Sequence, residues 1–298
     1  MSGSRAGDLA ADLVAARAIR TRFAPAPTGL LHLGHVANAL WVWGAAGLTG
    51  ARVLLRIEDH DRQRSSEVSA ASIVEDLGWL GFGADEGPVR QTEDEAITAY
   101  EAALRRLVEA DLVYRCGCSR STFAAWARDH GRDWSGPGCP GACRSRALPD
   151  DVEASLRVAL GGGEETVDDV LEARWLGVVS ASGDLVARDR SGNWTYAFAV
   201  VVDDLRQAVD LVVRGEDLRP GTPDQIRLGR LLGREVPARF LHHSLIRKPD
   251  GSKLSKSDGD TGIRDLREDG VSPAGVLAEA VRRGLIPSEI VGAATTAR

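Results

Sequence analysis

Apolar and polar residues alternate over 19–24 (IRTRFA), the period of a strand with one buried face, and the cluster of Pro25, Pro27 and Gly29 then stops it. A helix is predicted from 34 to about 47, and RVLLRIE over 52–58 reads as a second strand. Another helix follows over 65–80, with Val68, Ala71, Val74 and Leu77 on one face. This β-α-β-α order predicts a parallel sheet covered by helices. TEDE at 92–95 has the form of a capping box and opens a predicted helix to about 110, carrying Ala96, Ala99, Tyr100, Ala103, Leu104 and Leu107.

The pattern changes at Cys116. From there to about Gly183 the chain is rich in Gly, Pro and Arg with only short apolar runs, which reads as an insertion, and Gly161–Gly163 reads as a loose turn rather than a phosphate cradle. Regular structure resumes over 194–202 and 208–213. A helix announced by Thr222 and Pro223 closes near Gly233, Pro249-Asp250-Gly251 marks a tight turn, and Ser272-Pro273 opens a last helix.

A chain of 298 residues with 43% hydrophobic residues can bury a substantial core. No run approaches a membrane span, and the first residues lack the basic-then-apolar order of a secretion signal, so a cytoplasmic protein with no membrane partner is expected. A net charge of -6 argues against coating nucleic acid by bulk electrostatics, though it leaves room for a local basic groove. Arg227, Arg230 and Arg234 are expected on a solvated helix face.

Two segments carry chemistry. His32-Leu33-Gly34-His35 sits where the first strand hands over to the first helix, and exposed amides and the helix dipole make that junction an anion site. Gly34 clears the approach for a phosphate, and two imidazoles could stabilise charge during in-line displacement at phosphorus. The same two histidines could instead simply cap the helix. Far along the chain, KLSKS over 253–257 offers Lys253 and Lys256 on a Ser- and Gly-rich loop suited to neutralising a leaving pyrophosphate, or to lying in solvent.

Together, HLGH and KLSKS resemble the HIGH and KMSKS signatures of class I aminoacyl-tRNA synthetases. RFAPAPTGLLHLGH, LLRIEDHD, NWTYAFAVVVDD, DLVVRGEDL, TPDQIRLGRLLG and KLSKS are similar, in this order and over about 18–260, to the catalytic domain of glutamyl-tRNA synthetases. The resemblance implies an α/β fold: a Rossmann-like, parallel-sheet class I catalytic domain with a zinc-binding insertion and a short helical C-terminal part. Its halves are expected at 18–115 and 186–245, the insertion at 116–185, and the lysine loop with a helical remnant at 246–298.

Glutamate carries two carboxylates and an ammonium, so its site needs cations for the former and an anion for the latter. Arg22 and Arg214 are the candidate carboxylate clamps, Tyr196 a hydroxyl donor and Glu58 the ammonium partner, each at a position the resemblance links to glutamate. Arg214 and Glu58 could also be a buried ion pair. Ala26 stands where the family usually has Ser, removing one hydroxyl contact. The resemblance places ATP at His32, Gly34, His35 and Lys256, with Mg²⁺ accompanying it, and assigns catalysis to His32, His35, Lys253 and Lys256.

All four cysteines, Cys116, Cys118, Cys139 and Cys143, fall in one window, and CxC with CxxxC suits a closed, structural four-thiolate zinc site. Buried thiols without metal or a redox pair are the alternatives, and Tyr114 and His130 are rival ligands.

The chain ends soon after the lysine loop. With the zinc knuckle, this resembles the glutamyl-Q tRNA(Asp) synthetases, paralogues similar to the catalytic half alone. In that family glutamate is activated by ATP without tRNA and then esterified to the cyclopentene-diol of queuosine at the wobble position of tRNA(Asp). The implied partners are L-glutamate, ATP and a queuosine-bearing anticodon stem-loop, and a monomer is expected. That family often has Ser where His35 stands and Tyr where Cys139 stands. A truncated glutamyl-tRNA synthetase charging tRNA(Glu), an enzyme with a non-RNA acceptor, and a zinc-stabilised RNA-binding module without catalysis are the rival expectations.

Overall fold

The structure, a computed structural model, describes residues 9–131, 139, 141–146, 148–149, 152–181, 183–247 and 261–296. After α1 (Leu9–Ala16), the first half is built from β1 (Arg20–Phe23), α2 (Leu33–Thr49), β2 (Arg52–Ile57), α3 (Glu67–Leu80), β3 (Glu86–Arg90) and α4 (Asp94–Glu109). Strands β1, β2 and β3 lie side by side and parallel, as the alternating helices require.

The middle of the chain gives β4 (Val113–Cys116), α5 (Arg120–Asp129), β5 (Ser155–Val158), β6 (Glu164–Asp169), β7 (Ala173–Val178) and β8 (Leu185–Arg188). It does not stand apart as a unit. β4, β5 and β8 form a small antiparallel sheet, whereas β6 joins the main fold. Then come α6 (Tyr196–Arg206), β9 (Leu211–Gly215), a 3₁₀ turn (Glu216–Gly221), α7 (Thr222–Leu231) and β10 (Arg239–His243), with sheet order β7-β6-β10-β9. β1 and β9 run alongside each other, Asp210 N–H donating to Arg20 C=O at 3.1 Å. Sheet order therefore reverses between β1 and β9, and the crevice at their carboxyl ends is where open α/β sheets bind ligands.

Helix α2 is buried along its length, and its Gly44 and Gly47 serve a close approach. A Cβ on Gly44 would lie 2.5 Å from Ile290 O, and one on Gly47 2.8 Å from Ala293 O. Those partners belong to α10 (Ser288–Thr296), which follows α8 (Ile263–Glu268) and α9 (Pro273–Gly284). Ser272-Pro273 thus opens the penultimate helix, not the last.

Three further expectations are corrected. In α3 the buried face is Ala70, Ile73, Asp76, Leu77 and Leu80, while Val68 and Val74 are exposed, because positions spaced strictly three apart drift around a helix of 3.6 residues per turn. Thr92 does not cap α4; its N–H and hydroxyl are both taken by the Asp59 carboxylate, so Glu93 occupies the cap position. Arg227 is half-buried on Glu165, Arg230 is exposed as expected though it also reaches Glu165, and Arg234 lies beyond α7 and donates to Val209 C=O.

Candidate active site

His32 is the N-cap of α2. Its Nδ1 accepts from Gly34 N–H at 3.1 Å, and His35 Nδ1 accepts from His32 N–H at 3.1 Å, with the two rings 3.9 Å apart. A Cβ on Gly34 would stand 2.9 Å from His32 Cε1, so the cap depends on glycine. The capping role is the one this geometry shows. Because each Nδ1 is an acceptor, each neutral ring carries its proton on Nε2, where the helix start favours negative charge.

The two histidines, Gly34 and Asn38 line one side of a cavity of about 290 Å³; Gly215, Asp217 and His243 line the other. His243 Nε2 lies 3.0 Å from Asn38 Oδ1, and Trp41 stacks on the ring. Lys253 and Lys256, like the turn at Pro249–Gly251, lie outside the described residues.

A buried ionic cluster joins β1, β2 and α6. Arg22 Nε donates to Asp204 at 3.1 Å, and Arg56 donates to the same Asp204 oxygen at 2.9 Å and to Glu58 at 3.2 Å. Burial opposes the Asp204 charge, yet Arg22 and Arg56 hold its carboxyl below the usual range. Burial raises Glu58, incompletely offset by Arg56 and Arg22. A carboxylate that ionises reluctantly is one that an incoming ammonium would stabilise. Glu58 is held at the loop by its N–H, which donates to Pro25 C=O at 3.0 Å; Ala26, next along, is exposed.

Arg214 is 4% exposed and bonded to neutral groups: Gln225 Oε1 at 2.6 Å, Thr222 Oγ1 at 2.7 Å and His242 Nε2 at 3.2 Å. Among the described residues no carboxylate forms an ion pair with it, so Glu58 is not its partner. Burial lowers its proton affinity, the neighbouring Tyr196 hydroxyl works the other way, and the like charge of Arg22 lowers it further. Of the five residues expected around glutamate, Arg22, Glu58, Tyr196 and Arg214 converge by these contacts. Tyr196 and Gln225 also line a second cavity of about 440 Å³, which shares Asp217 and Leu218 with the first.

The anchors Arg56, Asp203 and Asp204 were legible only as letters within LLRIEDHD and NWTYAFAVVVDD. The available signal was a charge at the centre of an apolar strand, which must find a partner once buried.

The four cysteine sulfurs lie within 4.8 Å of one another. Tetrahedral Zn–S bonds of about 2.3 Å would set sulfurs about 3.8 Å apart, so the set fits zinc. Hydrogen bonding to Cys116 and burial push the Cys139 thiol up to about 12, and burial with the Cys143 thiol pushes Cys118 up to about 11. Four thiolates here require a cation. Tyr114 donates instead to Asp184 at 2.7 Å, and His130 stacks on Trp126, so neither rival completes the set.

Over residues 18–295 the chain matches the family described as tRNA synthetases class I (E and Q), catalytic domain. It is 41% identical to the glutamyl-Q tRNA(Asp) synthetase of Symbiobacterium thermophilum, covering 86% of this chain and 83% of that one. It is 38% identical to glutamate–tRNA ligase 1 of Alkalilimnicola ehrlichii over 89% of this chain, yet spans only 56% of that ligase's length. The glutamate–tRNA synthetase structure from Elizabethkingia anophelis superposes with a TM-score of 0.68 at 29% identity, covering 82% of this chain and 53% of that one.

Proposed function

Because the chain belongs to the class I tRNA synthetases for E and Q through their catalytic domain, we propose that it activates glutamate with ATP without RNA and then passes the glutamyl group to queuosine at the wobble position of tRNA(Asp). The observation that carries the glutamate reading is Arg214: a buried guanidinium beside Arg22 whose hydrogen-bond partners, among the described residues, are all neutral. The side-chain carboxylate of glutamate pairs with it, with the Tyr196 hydroxyl alongside, and Glu58 takes the ammonium.

An oxygen of the α-carboxylate attacks the α-phosphorus of ATP. The bond to the β-phosphate breaks and pyrophosphate leaves, the Nε2–H groups of His32 and His35 donating to the phosphate oxygens as charge spreads. ATP enters with Mg²⁺, and Lys253 and Lys256 act on the pyrophosphate. A hydroxyl of the RNA diol then attacks the glutamyl carbonyl and AMP departs. The second cavity, of about 440 Å³, shares Asp217 and Leu218 with the first and is where a diol-bearing base would enter. The four cysteines would hold a structural zinc that takes no part in these steps.

The relative named for glutamyl-Q, matched over most of its length, supports queuosine as acceptor. The glutamate–tRNA ligase relatives favour a second reading, in which the acceptor end of tRNA(Glu) fills the same cavity. Glutamate-dependent ATP–pyrophosphate exchange tests the common step. Exchange is expected with glutamate and no RNA; exchange that starts only on adding tRNA would contradict RNA-independent activation.

A further inference from the structure

Arg214 is held from behind by a short chain of buried groups. Its Nε–H donates to His242 Nε2 at 3.2 Å, and a terminal N–H donates to Thr222 Oγ1 at 2.7 Å. Thr222 Oγ1 lies 3.1 Å from the same His242 Nε2. Having accepted from Arg214, the Thr222 hydroxyl has its own proton to give, so two donors converge on His242 Nε2. That nitrogen must carry the lone pair. The ring proton is therefore on Nδ1, which faces Asp169 Oδ2 at 2.5 Å.

Asp169, His242 and Arg214 are 1%, 4% and 4% exposed, so water is not at hand to replace a lost partner. The other Asp169 oxygen, Oδ1, accepts Leu171 N–H at 3.0 Å. Burial depresses the proton affinity of His242, in keeping with a neutral ring despite Asp169. A carboxylate behind an imidazole selects which ring nitrogen is protonated.

We infer that Asp169 and His242 are positioning residues for glutamate recognition: Asp169 fixes the His242 tautomer, and that tautomer supplies the acceptor that orients the Arg214 guanidinium. The inference rests on the reading of Arg214 as the partner of the glutamate carboxylate.

Asp169→Asn separates tautomer from shape. Its Oδ1 stays with Leu171 N–H, so its amide N–H faces His242 Nδ1, drives the ring proton to Nε2 and sets it against Arg214 Nε–H. In ATP–pyrophosphate exchange this variant is expected to raise the KM for glutamate about tenfold, the cost of an unmet buried donor, with the KM for ATP unchanged. His242→Gln carries an acceptor oxygen near the place of Nε2 and has no tautomer to lose. It is expected to keep a near-wild-type KM for glutamate while the Asp169 carboxylate remains to favour the amide orientation that presents its oxygen to Arg214. The ¹⁵N spectrum of the imidazole should show Nδ1–H in the wild type and Nε2–H in Asp169→Asn.

Arg214→Lys, the comparator, is expected to raise the glutamate KM. If it does not, the glutamate reading falls and the inference with it. If it does, while Asp169→Asn leaves that KM unchanged, the inference alone is overturned, as it is by an Nε2–H ring in the wild type.

Discussion

Asp204→Asn is expected to destabilise the fold by about 3–5 kcal/mol, since it strips the shared partner from two buried cations. One Asp204 oxygen serves both Arg22 Nε and Arg56 Nη1, at 3.1 and 2.9 Å, and the two arginines are 4% and 0% exposed. An amide of the same size cannot neutralise them. The folded-state pKa of Asp204 lies below its ordinary value. Its contribution is therefore fully present above the ordinary carboxylate pKa and is lost as pH falls through the depressed one. Urea unfolding followed from neutral to acid pH checks both statements: the gap between wild type and variant should be wide at neutral pH and narrow in acid. Coincident midpoints at neutral pH would show that the cluster does not depend on this carboxylate.

Cys116→Ser is expected to have the larger effect. The apolar cluster at the knuckle itself consists of Cys116, Cys139, Cys143 and Phe123, one large apolar side chain among three thiols, whereas Val158, Leu185 and Ala187 of the small sheet pack into the larger core with α4 and α6. So little apolar surface cannot hold a loop-rich segment, and a metal held by four thiolates, worth on the order of 10 kcal/mol in small zinc modules, would do so. Purified protein should contain one zinc per chain. The variant should lose it, and limited proteolysis should then cut between β4 and β5 while α2 and the parallel sheet persist. A metal-free wild type, or a variant that keeps its full zinc, would refute the four-thiolate site.

The main lines of this fold were open to reading because they rest on local signals. Alternation in 19–24, the proline and glycine stop and the apolar start of α2 each follow from a few adjacent residues, and β1, α2 and β2 fall where the pattern puts them. What stayed hidden depends on residues far apart in sequence. The buried face of α3 is the one that meets α8 and α9, not the stripe at 68, 71, 74 and 77. The TEDE box fails because Asp59, 33 positions away, takes Thr92. The same limit applies to the site. Motif residues such as Arg22, Glu58, Tyr196 and Arg214 were visible one at a time. Their supports, Asp204 for Arg22 and the pair Asp169 and His242 for Arg214, are joined only once β1, β6, β9 and β10 lie side by side. The cysteines were the exception, because four thiols in one short window leave few other arrangements.

The acceptor decides the account. Purified protein, ATP and radiolabelled glutamate should be mixed in parallel with queuosine-containing tRNA(Asp), the same tRNA lacking queuosine, and tRNA(Glu). The glutamyl-Q reading predicts alkali-labile label on queuosine-containing tRNA(Asp) alone, retained when only its anticodon stem-loop is supplied. Label on tRNA(Glu), with queuosine-containing tRNA(Asp) blank, would contradict it and establish the acceptor end of tRNA(Glu) as the substrate.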